Sequence, residues 1–499
     1  MDGLVFRLFG GRCLLAEVLV LVRHGKAAPA EEGQPDSLRP LTEAGRRSLE
    51  ATISTSLQPV RDLIDAGTDA VVWASPALRA CQTANIVCRA LGIEGYEKHP
   101  VLAGTDPAAM YGEVKGDPHA LVVLVGHTPS VDKISQAACG TRLPFKPGAV
   151  CMLDLEGRPA TPENLRHFAQ GPQVDRWETA LALEHAIREA GKATCCSYHD
   201  FVDDPSDPEI VHDLRVSIRT LRSLIVFAEP WLKEKRAKKA QDHLRELVRL
   251  TSRLREFDVL SDTIAGLEPA AEELTAACKQ CRAEEAEHVL DGLASRRSQK
   301  TIGDAQKYTQ HIVWRDGFGE QGIDPAEVAG RYRKLCEKFA KHYNKLDLTD
   351  EEHTHAVRKE AKLLRYVSHS LPGLLGDEAE ATEVQMHAVQ DRLGELCDAR
   401  ANVEIADSFP AERLSEQSAA DLARLRVRQL TCIDQLLADM TDQAARTAEA
   451  DSAAEADQAV RAAGATQAVH AGDANQTSRT SDAADVRTPD QPASVNIMA

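Results

Sequence analysis

Aromatic side chains are scarce in this sequence, at 4% of 499 residues, whereas hydrophobic residues make up 43%. So few rings argue against a large β-sandwich and favour helices rich in alanine and leucine. Positive charge is also in the minority, because the formal net charge is -18. The chain therefore lacks the bulk attraction to nucleic acid that a basic protein has, and we expect no nucleic-acid partner.

The 12 cysteines are scattered and form no disulfide-like framework, which favours a reducing cytoplasm. Cys278 and Cys281 lie one helical turn apart in a charged stretch, and no second Cys/His pair follows at zinc-finger spacing. We therefore expect neither a metal site nor a cofactor.

Long hydrophobic runs are missing as well. The apolar first 22 residues are interrupted by Arg7, Arg12 and Glu17, and they lead directly into a strand with functional residues at its end. We therefore expect no signal peptide, no transmembrane helix and no membrane partner. Residues 1–16 are predicted to be an N-terminal extension, and 447–499 to be a disordered acidic tail.

Three continuous apolar runs are typical of strands buried on both faces: 18–22, 70–73 and 121–125. Helical patterns alternate with these runs, over 42–65 and 76–91. This alternation predicts an open α/β sheet domain over residues 17–158.

In such sheets the chemistry lies in the loops that follow the carboxyl ends of the strands. Three short motifs follow the predicted strands: Arg23-His24-Gly25, Ser75-Pro76 and Gly126-His127. We expect them to converge on one crevice.

Their residue types suit phosphoryl transfer through a histidine. That reaction needs an imidazole held in one tautomer, cations around the phosphoryl oxygens and close backbone approach. His24 can be the nucleophile, and Arg23 and Arg79 can clamp the oxygens with two donors each. His127, if protonated, can supply a further charged donor. Support of the phosphate pocket is predicted for Gly25, Ser75 and Gly126.

Four strings carry a family resemblance: LVRHGKA (21–27), RPLTEAG (39–45), SPALRACQTA (75–84) and VGHTPS (125–130). They resemble the histidine phosphatase (phosphoglycerate mutase-like) superfamily, specifically its small SixA-like phosphohistidine phosphatase branch. The resemblance implies that His24 is phosphorylated and that Arg23, Arg79 and His127 form the phosphate pocket. Glu97 and Asp106 match no acid motif, so the sequence identifies no general acid.

A histidine-arginine pattern with 3-4-3 spacing, which we call the ladder, occurs twice in the second half of the chain. The first ladder is His212, Arg215, Arg219 and Arg222. The second is His355, Arg358, Lys362 and Arg365, with Lys359 beside it. On a helix each ladder covers roughly 80° of arc, so like charges lie one turn apart. That arrangement is unfavourable unless an anion lies across it.

The recurrence indicates a duplicated all-α bundle. Asp258 and Asp398 support it, because they follow the two ladders at similar distances. We predict a linker over 159–173 and a helical domain over 174–446, with repeats at about 174–300 and 325–446.

Four strings of this region resemble the CHAD (conserved histidine α-helical) domain: HDLRVSIRTLR (212–222), LREFDVL (254–260), HAVRKEAKLLRY (355–366) and QDRLGELCDA (390–399). The resemblance implies a two-fold helical bundle that binds inorganic polyphosphate through its basic residues. A metal site on the ladder histidines is the weaker alternative, because neither has a second ligand at helical spacing.

The leading hypothesis is a cytoplasmic phosphatase tethered to a polyphosphate-binding helical domain, with polyphosphate granules as a candidate location. Its substrate would be a phosphohistidine protein, a small phosphorylated molecule or, less favoured, the ends of polyphosphate chains. A second hypothesis is a polyphosphate-granule adaptor with a weak or regulatory phosphatase. Nucleic-acid binding by the ladders ranks last, because no aromatic stacking platform accompanies them.

Overall fold

The computed structural model describes residues 16–103, 106–155 and 160–440. Two compact units divide the chain. The first extends to His185 and also includes Trp231–Lys233 and Val313–Val328, and the second holds the remaining helices. The predicted tail at 447–499, and all but the last residue of the predicted extension at 1–16, lie outside the described residues.

A six-stranded sheet forms the centre of the first unit. Its strands are β1 (Val18–Arg23), β2 (Ala70–Ala74), β3 (Glu97–Lys98), β4 (Leu121–Gly126), β5 (Val150–Asp154) and β6 (Leu165–Ala169). Their order is β3-β2-β4-β1-β5-β6, with β3, β2, β4 and β1 parallel and β5 and β6 antiparallel. The three predicted strands are confirmed, and the open α/β fold with them.

The predicted linker over 159–173 is wrong in part, because β6 lies within it and pairs with β5. β6 is an edge strand of mixed polarity, so it lacks the apolar run that reveals a buried strand. Phe168 packs edge-on against Phe145 with ring centroids 5.5 Å apart, and Arg166 pairs with Asp154 at 2.8 Å. These contacts hold the segment to the sheet.

Five helices accompany the sheet: α1 (Glu43–Ser56), α2 (Gln58–Asp65), α3 (Leu78–Leu91), α4 (Pro107–Lys115) and α5 (Ser130–Cys139). The helix predicted over 42–65 is two helices, because the chain breaks at Leu57 and restarts with Pro59 in the first turn, where its missing N–H costs nothing. One sheet face packs on α1, α2 and α3, and the other on α4 and α5.

The described residues from 174 to 440 are mainly helical, as predicted. Their helices are α6 (Val174–Asp203), α7 (Pro208–Ala228), α8 (Glu234–Leu250), α9 (Ser252–Ala265), α10 (Glu272–Ala294), α11 (Arg296–Gln310), α12 (Phe318–Gln321), α13 (Pro325–Tyr343), α14 (Glu351–Ser370), α15 (Pro372–Leu375), α16 (Asp377–Asp407) and α17 (416–440). None of the helices in the described ranges is both long and apolar enough to cross a bilayer.

The start of α6 groups with the sheet, whereas the sequence predicts that the helical domain begins at 174. Glu178 pairs with Lys26 at 2.5 Å, and Glu184 pairs with Arg47 at 3.2 Å. Trp177 is buried. These contacts attach the first turns of α6 to the sheet unit.

Within the second unit, α7 packs against α14 and α14 packs against α16. The apolar stripes of α7 and α14 are buried, as their spacing predicts: Leu214, Ile218, Leu221, Ile225, Val357, Ala361 and Leu364. The two ladders therefore lie on two helices that touch each other.

Candidate functional site

The strand order brings the three predicted motifs to one edge of the sheet. β4 lies between β1 and β2, with Arg23 opposite Gly126 and Ala74 opposite Val125. His24, Ser75 and His127 each follow directly after their strands. The parallel strands therefore end side by side, at the edge where open α/β sheets hold their ligands.

His24 is buried and held in one tautomer by its own loop. Its Nδ1 lies 2.7 Å from the carbonyl oxygen of Gly25, an acceptor, so Nδ1 carries the proton. Nε2 is then unprotonated and accepts a hydrogen bond from Nε of Arg79 at 3.2 Å. Burial, helped by the positive charges of Arg79 and Arg23, lowers the pKa of His24 to about 4. The imidazole is neutral at pH 7, as a nucleophile must be.

Gly25 and Thr83 fix the backbone beside the imidazole. A Cβ on Gly25 would lie 2.5 Å from Cδ1 of the buried Leu49, so a larger residue there would force that side chain to move. The Gly25 N–H donates to the Thr83 hydroxyl at 3.2 Å, and that hydroxyl donates to the carbonyl of Arg79 at 2.8 Å. Thr83 thus connects the segment that carries His24 with the helix that carries Arg79. The sequence reasoning missed its role, although it follows Arg79 by one helical turn.

Arg23 and His127 are the other two polar groups around His24. Nη1 of Arg23 donates to the carbonyl of Phe145 at 2.5 Å, and burial lowers its pKa. Burial, and then the charge of Arg79, lowers the pKa of His127, so its charged form is disfavoured. Within the described residues, Nδ1 of His127 is buried without a partner. A bound phosphoryl group would supply that partner and favour the protonated ring.

The predicted support residues act through the backbone. The carbonyl of Gly126 accepts the N–H of His24 at 2.9 Å, and the buried Ser75 donates its N–H to Val125 at 3.0 Å. The two carboxylates considered from the sequence have other roles. Asp106 caps α4 by accepting the N–H groups of Ala108 and Ala109, and Glu97 is exposed on β3.

Asp36 is a further pocket residue that the sequence reasoning missed. It lies on the β1–α1 connection, and its Oδ2 accepts from Nη2 of Arg79 at 2.7 Å. Nη1 of Arg79 donates to the Asp36 carbonyl at 2.6 Å. The arginine expected to clamp phosphate therefore holds a carboxylate of the protein. No apolar periodicity marks this loop, so only its closeness to RPLT in the sequence could have drawn attention to it.

The ladders converge at Arg219 and Lys362. Burial, together with the charges of Arg358 and Arg219, lowers the pKa of Lys362 to about 7. Arg219 also lowers the pKa of His212 and of Arg215. The positive charge of Arg219 in the first ladder therefore acts on Lys362 in the second ladder.

Three of the ladder arginines have neutral hydrogen-bond partners. Nη1 of Arg215 donates to the Val248 carbonyl at 2.8 Å and to the Thr251 hydroxyl at 3.0 Å. Nε of Arg222 donates to the Gln241 side chain at 3.1 Å, and Nη1 of Arg365 to that of Gln390 at 3.2 Å. Among the described residues, Arg358 is the ladder member with an ion pair, at 3.4 Å from Asp398.

Arg255 extends the first ladder. Its charge lowers the pKa of His212 and, after burial and Arg219, that of Arg215. Its sequence signal was its place in LREFDVL, where Asp258 follows three residues later. His355 and Lys359 are exposed beside Lys362. In the described ranges, no group of three or more His, Cys, Asp or Glu side chains could hold a metal ion.

The comparisons with known proteins agree with this division of the chain. Residues 19–115 match the histidine phosphatase superfamily (branch 1), and residues 186–407 match the CHAD domain. The chain joins a histidine phosphatase domain to a CHAD domain. His127 lies beyond the matched phosphatase residues, so its place in the pocket rests on the geometry.

Two uncharacterized proteins of Mycobacterium tuberculosis, from strains CDC 1551 and H37Rv, are 26% identical over 346 residues. The chain spans 60% of the length of these relatives, and the match covers 62% of this chain. A structure of the protein histidine phosphatase SixA complexed with tungstate is 23% identical, with a TM-score of 0.26, and covers 31% of this chain and 96% of that one. The CHAD domain of Ricinus communis is 17% identical, with a TM-score of 0.42, and covers 50% and 85%.

Proposed function

We propose that the protein is a phosphatase that passes a phosphoryl group through His24, and that its CHAD domain holds it on inorganic polyphosphate. The substrate is a phosphohistidine protein or a small phosphorylated molecule. One observation carries the proposal: a buried, neutral imidazole has its Nε2 unprotonated among Arg23, Arg79 and His127.

The chemistry follows from these atoms. Nε2 of His24 attacks phosphorus, the P–O or P–N bond breaks, and the leaving group departs with the electron pair and takes a proton from solvent. Water then attacks the phosphohistidine and gives a proton to solvent, the electron pair of the P–N bond returns to Nε2, and inorganic phosphate leaves. Arg23 and Arg79 stabilise the charge on the phosphoryl oxygens in both steps. No carboxylic acid is assigned as proton donor, which suits a good leaving group such as imidazole.

The ladders support a polyanionic partner for the CHAD domain. The positive charges of Arg358 and Arg219 act on Lys362, and like charges this close repel one another. Arg215, Arg222 and Arg365 donate to neutral oxygens, so these hydrogen bonds do not cancel their positive charge. A flexible chain of phosphates relieves the repulsion and needs only charge and spacing for recognition, without bases to read.

A tether to polyphosphate raises the local concentration of the phosphatase around any target that shares the polymer. We therefore propose a cytoplasmic protein that associates with polyphosphate granules. The polymer itself is a ligand of the CHAD domain in this proposal.

The test measures phosphate release by the full chain from a phosphohistidine peptide and from an aryl phosphate, with and without long-chain polyphosphate. Polyphosphate binding is measured separately by calorimetry. Turnover that disappears in His24→Ala, together with binding that weakens in Arg219→Ala/Lys362→Ala, is the expected result. Binding without any His24-dependent turnover would replace the proposal with a granule adaptor. Turnover without polyphosphate binding would contradict the proposal that the CHAD domain tethers the phosphatase to polyphosphate.

A further inference from the structure

The Arg79 guanidinium is already occupied by a negative group of the protein. Its Nε donates to His24 at 3.2 Å, and its Nη1 and Nη2 donate to the carbonyl and the carboxylate of Asp36 at 2.6 and 2.7 Å. The other carboxylate oxygen of Asp36 accepts from Nη1 of Arg39 at 2.7 Å. A carboxylate therefore lies where the oxygens of a bound phosphoryl group would meet Arg79.

Asp36 lies at the rim of the pocket rather than inside it. Its side chain is 65% exposed, whereas that of Arg79 is 10% exposed. Hydrogen bonds from Arg79 and then Arg39 lower the pKa of the Asp36 carboxyl, so it is ionised at neutral pH. Its negative charge also acts on His127, the third polar neighbour of His24. The pocket thus combines cations at its base with one fixed anion at its mouth.

We propose that Asp36 is a specificity-determining residue, which admits phosphoryl groups on neutral or cationic leaving groups and rejects those flanked by further phosphates. This inference rests on the proposed phosphatase function and deepens it. It excludes the ends of polyphosphate chains, one of the substrate classes that the sequence leaves open. The phosphatase would then leave intact the polymer that holds it.

The physical reason is the sign of the charge beside the leaving group. If Asp36 stays in place, it lies next to the group that departs from phosphorus, where it stabilises a protonated nitrogen and repels a phosphate. If the substrate displaces it from Arg79, the carboxylate stays on the β1–α1 connection near the rim. In both cases a substrate with a second phosphate brings more negative charge near this carboxylate than a single phosphoryl group on imidazole does.

The decisive readout is a ratio of substrates. For wild type and Asp36→Asn, kcat/KM is measured on a phosphohistidine peptide and on tripolyphosphate. The asparagine keeps the shape and loses the charge. We expect the preference for the peptide to shrink roughly ten- to hundredfold, the effect that one charge within ~4–6 Å has on an ionisation equilibrium. Glu32→Gln is the matched control, because Glu32 is an exposed carboxylate on the same connection.

A binding measurement keeps the inference testable if turnover fails. Orthophosphate and pyrophosphate are titrated by calorimetry into wild type and Asp36→Asn. The same titrations into Arg79→Met measure the heat of binding to sites outside the pocket. We expect Asp36→Asn to increase the affinity for pyrophosphate about tenfold more than the affinity for orthophosphate.

The outcomes separate the two proposals. Two outcomes would overturn the specificity role of Asp36. In the first, Asp36→Asn raises the affinity for orthophosphate and pyrophosphate equally and leaves the ratio of the two kcat/KM values unchanged. In the second, it lowers turnover equally on both substrates. In the second case Asp36 would only position Arg79. Absence of His24-dependent turnover in every variant would defeat the phosphatase proposal, while the two anion affinities would still decide the role of Asp36.

Discussion

The pocket around His24 and the two ladders differ in what surrounds their positive charges. In the pocket, Arg79 is engaged by His24 and Asp36, and Arg23 by the Phe145 carbonyl. On the ladders, Arg219 and Lys362 are close enough for one to lower the pKa of the other. In the pocket the arginines are already engaged by groups of the protein, whereas on the ladders a repulsion between like charges remains.

The difference follows from how each region is built. Strand ends fix the pocket, because β1, β2 and β4 stop side by side and each delivers one short motif. Helix faces build the ladders, so their cations repeat at one-turn intervals along α7 and α14. The first arrangement concentrates charge at a point, and the second spreads it along a line.

Removing the imidazole should have the largest effect. We expect His24→Ala to lower kcat on an aryl phosphate at least about 10³-fold, because loss of a nucleophile removes the covalent route. Phosphate release by the full chain measures it. His119→Ala is the control, since His119 precedes β4 at its opposite end and bonds to Asp117. Residual turnover within tenfold of wild type would show that His24 is not the nucleophile.

Removing two ladder cations should have the next largest effect. We expect Arg219→Ala/Lys362→Ala to weaken binding of long-chain polyphosphate roughly 10- to 100-fold at low salt, and to flatten its salt dependence, because fewer counterions are released. Calorimetry at two salt concentrations measures both. The control Lys279→Ala/Lys300→Ala removes the same charge from exposed positions on α10 and α11. Equal losses in the two double variants would mean that net charge, not the ladders, governs binding.

The pH dependence of the pocket should differ from that of an ordinary histidine. The neutral imidazole is active, and its pKa is lowered to about 4, so the neutral form persists until the pH falls to that value. A histidine with an unperturbed pKa of about 6.5 would be mostly protonated at pH 5.5, which would lower kcat/KM about tenfold there. We expect less than a twofold loss there for this pocket. Rates on an aryl phosphate from pH 4 to 8 measure it, and an acidic limb near 6.5 would contradict the geometry.

Much of the pocket could be predicted from the sequence, because its residues follow continuous apolar runs. Such runs locate strand ends, and the sheet rules then place those ends together. The ladders could be predicted because 3-4-3 spacing selects one helix face. Both signals are local patterns with a simple geometric consequence.

The parts that could not be predicted depend on contacts between distant segments. Asp36 lies on a loop without periodicity, and its meeting with Arg79 becomes visible only when the loop is folded. β6 is an edge strand whose few residues carry no clear alternation. The meeting of Arg219 with Lys362 requires the packing of α7 on α14, which the spacing within one helix does not determine.

The smallest expected effect is the pH dependence of the ladders. Burial, with the charges of Arg358 and Arg219, lowers the pKa of Lys362 to about 7, so its charged fraction falls as the pH rises above 7. The charged form binds an anion, so affinity for polyphosphate should fall between pH 7 and 9, by at most about tenfold per pH unit. The pKa values of His212 and His355 are lowered from 6.5, so neither titrates in this range.

Calorimetry at constant ionic strength measures how the affinity for polyphosphate changes with pH. Lys362→Arg should abolish this pH dependence, because arginine stays charged. Lys359→Arg, on an exposed neighbour, should leave it unchanged, and equal slopes in both variants would assign the titration to another group.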